Sequence, residues 1–289
     1  KGLFQFEIGV QSTNEKTLEA IKRKNDFKKL SHVVNKIKEM GNIHQHLDLI
    51  AGLPYEDYDS FGRSFDDVYR LEPEQLQLGF LKLLKGSGLR YDALKYGIKF
   101  RDEAVYEFLE TPWLPYNKAE RLKDIEEMTE TYYNSGKALN TLKYAVSLYE
   151  RPFKLFEDLA IYWVENGLNM IQHSKMELYS IFYDFAKKNV ILSSHLKEIK
   201  DFLRFDIYVN DNIKTIPNEL EKVTDDEFKL SIKNFYSDIE NVEKYLPELK
   251  EYSPQQLLRM CHIDTFDFDI VSYINKKETN LKANKINVL

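Results

Sequence analysis

The sequence predicts an α/β region over residues 1–100 followed by a mainly helical region over 101–289. Three segments alternate apolar and polar residues as strands do. Stretches of helical period separate them, so the order is βαβαβ, the signature of a parallel sheet with right-handed crossovers. In the first two strands one face stays polar. That pattern suits a curved sheet lining a cavity, a partial (β/α) barrel, better than a sheet buried on both sides.

The first strand runs from Phe4 to Gln11, with Phe4, Phe6, Ile8 and Val10 on the packing face and Gln5, Glu7, Gly9 and Gln11 on the other. Ser12 followed by Glu15 has the form of a capping box, which predicts a helix through Leu18, Ile21 and Lys22. A second helix is expected from Phe27 to Met40, stopped by Gly41. In the second strand, His44 to Leu53, the residues His44, His46, Asp48 and Ile50 face one way and Gln45, Leu47, Leu49 and Ala51 the other. A helix over Glu56 to Leu71 buries Tyr58, Phe61, Phe65, Val68 and Leu71, and Pro73 ends it. The third strand is expected at Leu76 to Leu84.

Beyond Arg101 the apolar spacing is helical, as in Leu122, Ile125, Met128 and Tyr132 and again over Leu155 to Met170. Helices are expected near 175–203 and 225–258. Residues 262–274 alternate and read as one late strand, and Lys276 to Leu289 as a polar, frayed end.

Composition narrows the function classes. A net charge of -6 and a pI near 5.7 lack the basic stripe that binds a nucleic-acid backbone. No apolar run reaches the ~18 residues of a membrane span, and the sequence does not open like a signal peptide, so a cytoplasmic location is expected. The single cysteine, Cys261, allows neither an intrachain disulfide nor a four-cysteine metal site. The chain opens at Lys1 and enters a strand by Phe4, which reads as a boundary inside a domain. It predicts a piece of a longer protein.

Three other features read as structural. His44 and His46 share a strand face, but two ligands without a third do not hold a metal. Cys261 and His262, adjacent in an expected strand, point to opposite faces. Lys85-Gly86-Ser87-Gly88 lacks the spacing of a phosphate loop and reads as a turn.

Four segments taken in order, EIGVQS (7–12), the helix from Leu18 to Arg23, LDLIAGLPYED (47–57) and LQLGFLKLLKGSGL (76–89), resemble the fourth to sixth strand units of radical S-adenosylmethionine (SAM) enzymes. The resemblance is to the cobalamin-binding-domain type with a C-terminal domain of unknown function, some of whose relatives are labelled magnesium-protoporphyrin monomethyl ester oxidative cyclase. It implies that residues 1–100 are the later half of a radical SAM barrel. It further implies that Gln11 and Arg23 contact SAM, the guanidinium suiting a carboxylate, and that Asp48 accepts from its ribose or amino group. Glu7 and Ser12 flank Gln11, Gly52 lets the backbone approach the adenine, and Leu81 packs on it.

The resemblance also implies a 4Fe-4S cluster in the parent protein, whose CxxxCxxC ligands this chain lacks, and admits cobalamin. The fragment alone is then expected to be inactive, its substrate unspecified, and its open barrel edge able to pair two copies. Two alternatives come from other classes. One is a non-radical barrel enzyme using Asp48 and Glu7 as acid and base. The other is a helical interaction module, residues 101–289, on an α/β scaffold.

Overall fold

The computed structural model describes residues 4–210, 216–222, 225–268 and 270. It has two compact units, Lys1–Gln172 and His173–Leu289. The change from strand to helix near residue 100 falls inside the first.

The first unit is α/β. Its sheet has three parallel strands in the order β1 (Gln5–Gln11), β2 (His44–Ala51) and β3 (Gln75–Phe80). Between β1 and β2 lie α1 (Glu15–Ala20) and α2 (Phe27–Met40), and between β2 and β3 lies α3 (Tyr58–Tyr69). Each start has a side-chain cap: Asn14 accepts from Lys16 N, Asp26 from Lys29 N and Asp57 from Ser60 N. The cap of α1 is therefore Asn14, not the expected Ser12, whose hydroxyl is engaged elsewhere. Gly41, at φ 62°, closes α2 in the left-handed conformation.

The two faces of β2 divide as the alternation predicts. Gln45, Leu47, Leu49 and Ala51 are all buried, and Gln45 Nε2 donates to Val34 O of α2 at 3.0 Å. Behind this apolar face α3 presents Phe61 and Phe65, and Phe65 meets Phe153 and Phe156 edge-on. The packing face of β1 departs from expectation: Val10 is buried, but Phe4 is 61% and Phe6 42% exposed. Among the described residues no strand lies beyond β1.

The third strand is shorter than expected. After it come α4 (Gly88–Tyr91) and an unpredicted antiparallel hairpin, β4 (Lys99–Phe100) with β5 (Phe108–Glu110). Leu83 N donates to Tyr106 O and Phe108 N to Leu81 O, so the hairpin continues the chain of pairing from the end of β3. The run of helices thus begins later than Arg101, with α5 (Tyr116–Met128), a π-helical turn (Thr129–Asn134), α6 (Leu139–Ser147) and α7 (Pro152–Glu165). Leu122, Ile125, Met128 and Tyr132 are buried on one stripe as predicted. The π turn aims Asn134 at the outer edge of β3. Its amide accepts from Leu76 N and donates to Leu76 O, both at 2.9 Å, as a neighbouring strand would. Tyr133 adds a bond from its hydroxyl to Pro73 O.

The second unit is helical: α8 (Lys175–Lys188), α9 (Leu196–Asn210), α10 (Asp226–Ser237), α11 (Ile239–Tyr245) and α12 (Pro254–Met260). Ser174 and Glu177 form a capping box on α8, and Ser253 and Gln256 another on α12. Tyr236, Val242 and Leu257 join α10 to α12 in a small core, against which Cys261 packs. The late strand is absent over 262–268, which are irregular, and the rest of it, with the polar end from Lys276, lies outside the described residues. Instead of pairing, segment 262–268 is fastened to α9. Buried Arg204 binds Asp201 and Asp264, and Asp201 accepts from the backbone of Asp267 and Phe268. No helix among the described residues is long and apolar enough to cross a membrane.

Candidate functional site

Strand register builds a polar surface on the face of the sheet away from the buried residues of β2. Glu7 pairs with His46 and His46 with Gln75, forming one row; Gly9, Asp48 and Gln77 form the next toward the C-terminal ends. Parallel in-register neighbours share a face. Ile50 and Gly79 continue it, while β1 bulges between Gly9 and Gln11. Gln11 leaves the strand at φ 69°, a conformation uncommon outside glycine.

Gly9 is the pivot of this arrangement. A Cβ there would sit 2.5 Å from Gln11 Nε2 and 3.3 Å from Arg23 Nη2, so the missing side chain is what lets both groups lie across the strand. Arg23 is brought back by the end of α1, where Lys22 adopts φ 57° and Arg23 N donates to Leu18 O. Its Nη2 then donates to Gly9 O at 2.7 Å. Since Phe4 O accepts from His44 N of β2, alternation turns the Gly9 carbonyl toward the outer edge of the sheet. Arg23 therefore covers that edge at one point, and it is not the free surface cation that a Lys-Arg-Lys run would otherwise give.

Asp48 stands beside Gly9 across the strand pair. Burial pushes its carboxyl above the ordinary range and the negative charge of Glu7 adds to the rise, against the opposing pull of His46. His46 Nε2 lies 3.5 Å from Asp48 Oδ1. Glu7, Gln11, Arg23 and Asp48, four of the residues expected from sequence, are thus gathered around Gly9.

The other three are placed elsewhere. Ser12 is buried, and its hydroxyl donates to Glu56 Oε1 at 2.7 Å and accepts from Asn14 N. Ser64 donates to the same carboxylate oxygen at 3.1 Å, Thr13 Oγ1 donates to Asp67, and the Asn14 amide donates to Tyr55 O and Ser60 Oγ. This network joins the end of β1 to the turn after β2 and to α3. Gly52 has φ 91°, and the space of its absent Cβ is filled by the Phe108 ring, 2.6 Å from where that atom would be. The close approach expected there is made by the protein's own hairpin. Leu81 is buried between Ala51 O, to which its N–H donates, and Phe108 N.

Sequence reasoning passed over three members of the site and its support. Gln75 and Gln77 fall on the polar face by the same period-two rule that placed Asp48, so the signal was present. Glu56 carried none: its carboxyl is 1% exposed and its pKa is pushed up to about 7 by burial, only partly offset by the Ser12 and Ser64 hydrogen bonds. Among the described residues no group of three or more histidine, cysteine or acidic side chains could hold a metal ion.

Similarity to known proteins is partial. Over 100 residues the chain is 31% identical to the uncharacterized protein YtqA of Bacillus subtilis (strain 168), covering 35% of this chain and 31% of that protein. The chain thus spans about a third of the length of that relative. Coproporphyrinogen III oxidase (HemN) from Escherichia coli, a radical SAM enzyme, is 28% identical over 27% of this chain and 18% of its own, with a TM-score of 0.26, too low to relate the folds. Residues 94–289, from the stretch before β4 to the last residue, match the family described as protein of unknown function DUF4080, and the chain belongs to that family.

Proposed function

We propose that residues 1–100 are the later half of a radical SAM barrel and that the polar face of the sheet binds SAM, with 101–289 as the accompanying helical region. One observation carries the reading: Gln11, Arg23 and Asp48, drawn from three separate segments, converge on Gly9 at the C-terminal end of β1. Ligands of parallel α/β sheets bind at that end of the strands. The residues fit the group. Arg23 supplies charged donors for a carboxylate, Gln11 an amide, and Asp48 Oδ1 is a buried acceptor without a hydrogen-bond partner.

SAM, once bound next to a reduced cluster, supplies radical chemistry. The residues of this chain would bind and orient it. They do not hold the cluster, because the chain has one cysteine, Cys261, where a cluster needs several thiolates, and no electron-transfer step is assigned to them. Cobalamin and cyclase activity enter the proposal on the sequence resemblance alone and would belong to the longer protein.

Calorimetric titration of the chain with SAM tests the reading. Saturable binding is expected, with Arg23→Ala and Asp48→Asn each weakening it by about tenfold or more, the loss of one charge-assisted hydrogen bond. No binding by the unaltered chain would sink the SAM reading. It would then favour the non-radical alternative, for which the raised pKa of Asp48 beside Glu7 is the supporting observation.

The outer edge of β1 supports self-pairing of two copies. The backbone groups of Gln5 and Glu7 face outward, and Phe4 and Phe6 are exposed beside them. Sedimentation should show a concentration-dependent dimer, and a strict monomer at high concentration counts against it.

A further inference from the structure

We propose that His46, Asp48 and Glu7 form a receptor for the protonated amine of a ligand. Three buried atoms motivate it. Nδ1 and Nε2 of His46 and Oδ1 of Asp48 have no hydrogen-bond partner, although buried polar atoms are as a rule paired. The imidazole is only 10% exposed, and its 3.5 Å approach to Asp48 is an ion-pair distance without a formed hydrogen bond. A fold that needed His46 only for packing would have no use for two idle nitrogens.

The chemistry of the cluster selects the ligand group. A neutral imidazole offers one N–H; its other nitrogen and both carboxylates are acceptors. Glu7 on β1 is in register with His46, and Gln75 flanks it on β3. Arg23, the cation that reaches this part of the sheet among the described residues, lies at the Gly9 row and gives one donor to Gly9 O. The balance is acceptor-rich and negative. An anion would meet two carboxylates, and a metal ion would need three convergent ligands that the described residues do not provide. An ammonium group donates three hydrogen bonds and offsets the charge. Glu7 and Gln77, the register neighbours of His46 and Asp48, are both exposed.

The inference rests on the polar face being a ligand site, as in the SAM proposal. It shares Asp48 with that site and reaches one row deeper, to His46 and Glu7, toward the N-terminal ends of the strands. The amine has two candidate sources with the same chemistry, SAM itself or a second ligand, and the experiment separates them.

In the full chain, the side-chain nitrogen resonances of His46, assigned by their loss in His46→Leu, are followed as n-butylammonium chloride is added, with n-butanol as the uncharged control. A saturating shift is expected with butylammonium alone, and about tenfold weaker binding in Asp48→Asn. An equal response to butanol, or one unchanged in Asp48→Asn, overturns the receptor. His46→Leu is also expected to raise the thermal midpoint of the ligand-free chain by about 2–4 °C, since it removes unpaired buried groups. Gln45→Leu, one residue away and bonded to Val34 O, should lower it. A fall in His46→Leu as large as in Gln45→Leu makes His46 structural and overturns the proposal. SAM added to the butylammonium complex identifies the source: competition gives the amine to SAM, joint binding to a second ligand, and either supports the receptor. Failure of SAM to bind at all defeats the SAM reading while the butylammonium result stands.

Discussion

Arg204→Ala is expected to cost the helical unit about 3–5 kcal/mol of stability, the usual loss when one member of a buried ion pair is removed and its partners are left charged. Arg204 is 1% exposed and lies between Asp201 and Asp264, with its Nη2 also donating to Thr265 O. Burial alone would raise Asp264. The His262 contact and the Arg204 charge outweigh it and hold the carboxyl at about 2. Removing the guanidinium takes its charge from both buried carboxylates and loosens 262–268, whose Phe266 and Phe268 rings pack on Phe205 and Phe202. The measurement has a built-in contrast, because both tryptophans, Trp113 and Trp163, belong to the first unit. Urea unfolding followed by far-ultraviolet circular dichroism should move to lower urea. An unchanged dichroism curve would show that the Arg204 network does not hold the unit.

The second large effect depends on pH. Glu56→Gln should stabilise the first unit by roughly 2–3 kcal/mol at pH 8 and change it little at pH 4.5. The folded carboxyl titrates at about 7 against 4.5 in the free state. Between those values the native protein keeps a proton that the unfolded chain releases. The contribution of Glu56 is therefore full below pH 4.5 and is lost as pH rises through 7, a swing of about 3 kcal/mol. A glutamine keeps the acceptor for Ser12 and Ser64 and never ionises. Tryptophan-detected urea midpoints at the two pH values check this, and a shift of equal size at both would sink it.

Much of the first unit was legible because its physics is local. Alternation in β1 and β2 and the stripe on α3 report directly which side chains turn inward, and the buried set Gln45, Leu47, Leu49 and Ala51 follows from counting by twos. What failed was set by distant partners. Ser12 has the letters of a helix cap, but Glu56, 44 residues away, takes its hydroxyl, and Asn14 caps instead. The place of Arg23 came from the family resemblance alone, because the turn at Lys22 that carries it back to Gly9 leaves no period in the sequence. The alternation at 262–268 has the period of a strand, yet no neighbouring strand receives it, and a buried arginine fixes the segment in another form. Short elements such as β4 and β5 hold too few residues to show a period at all.

The amide of Asn134 has a consequence for assembly. With Leu76 already engaged and residues 81–83 met by 106–108, these parts of the border past β3 are covered. A strand offered by another chain meets those parts of the border already occupied.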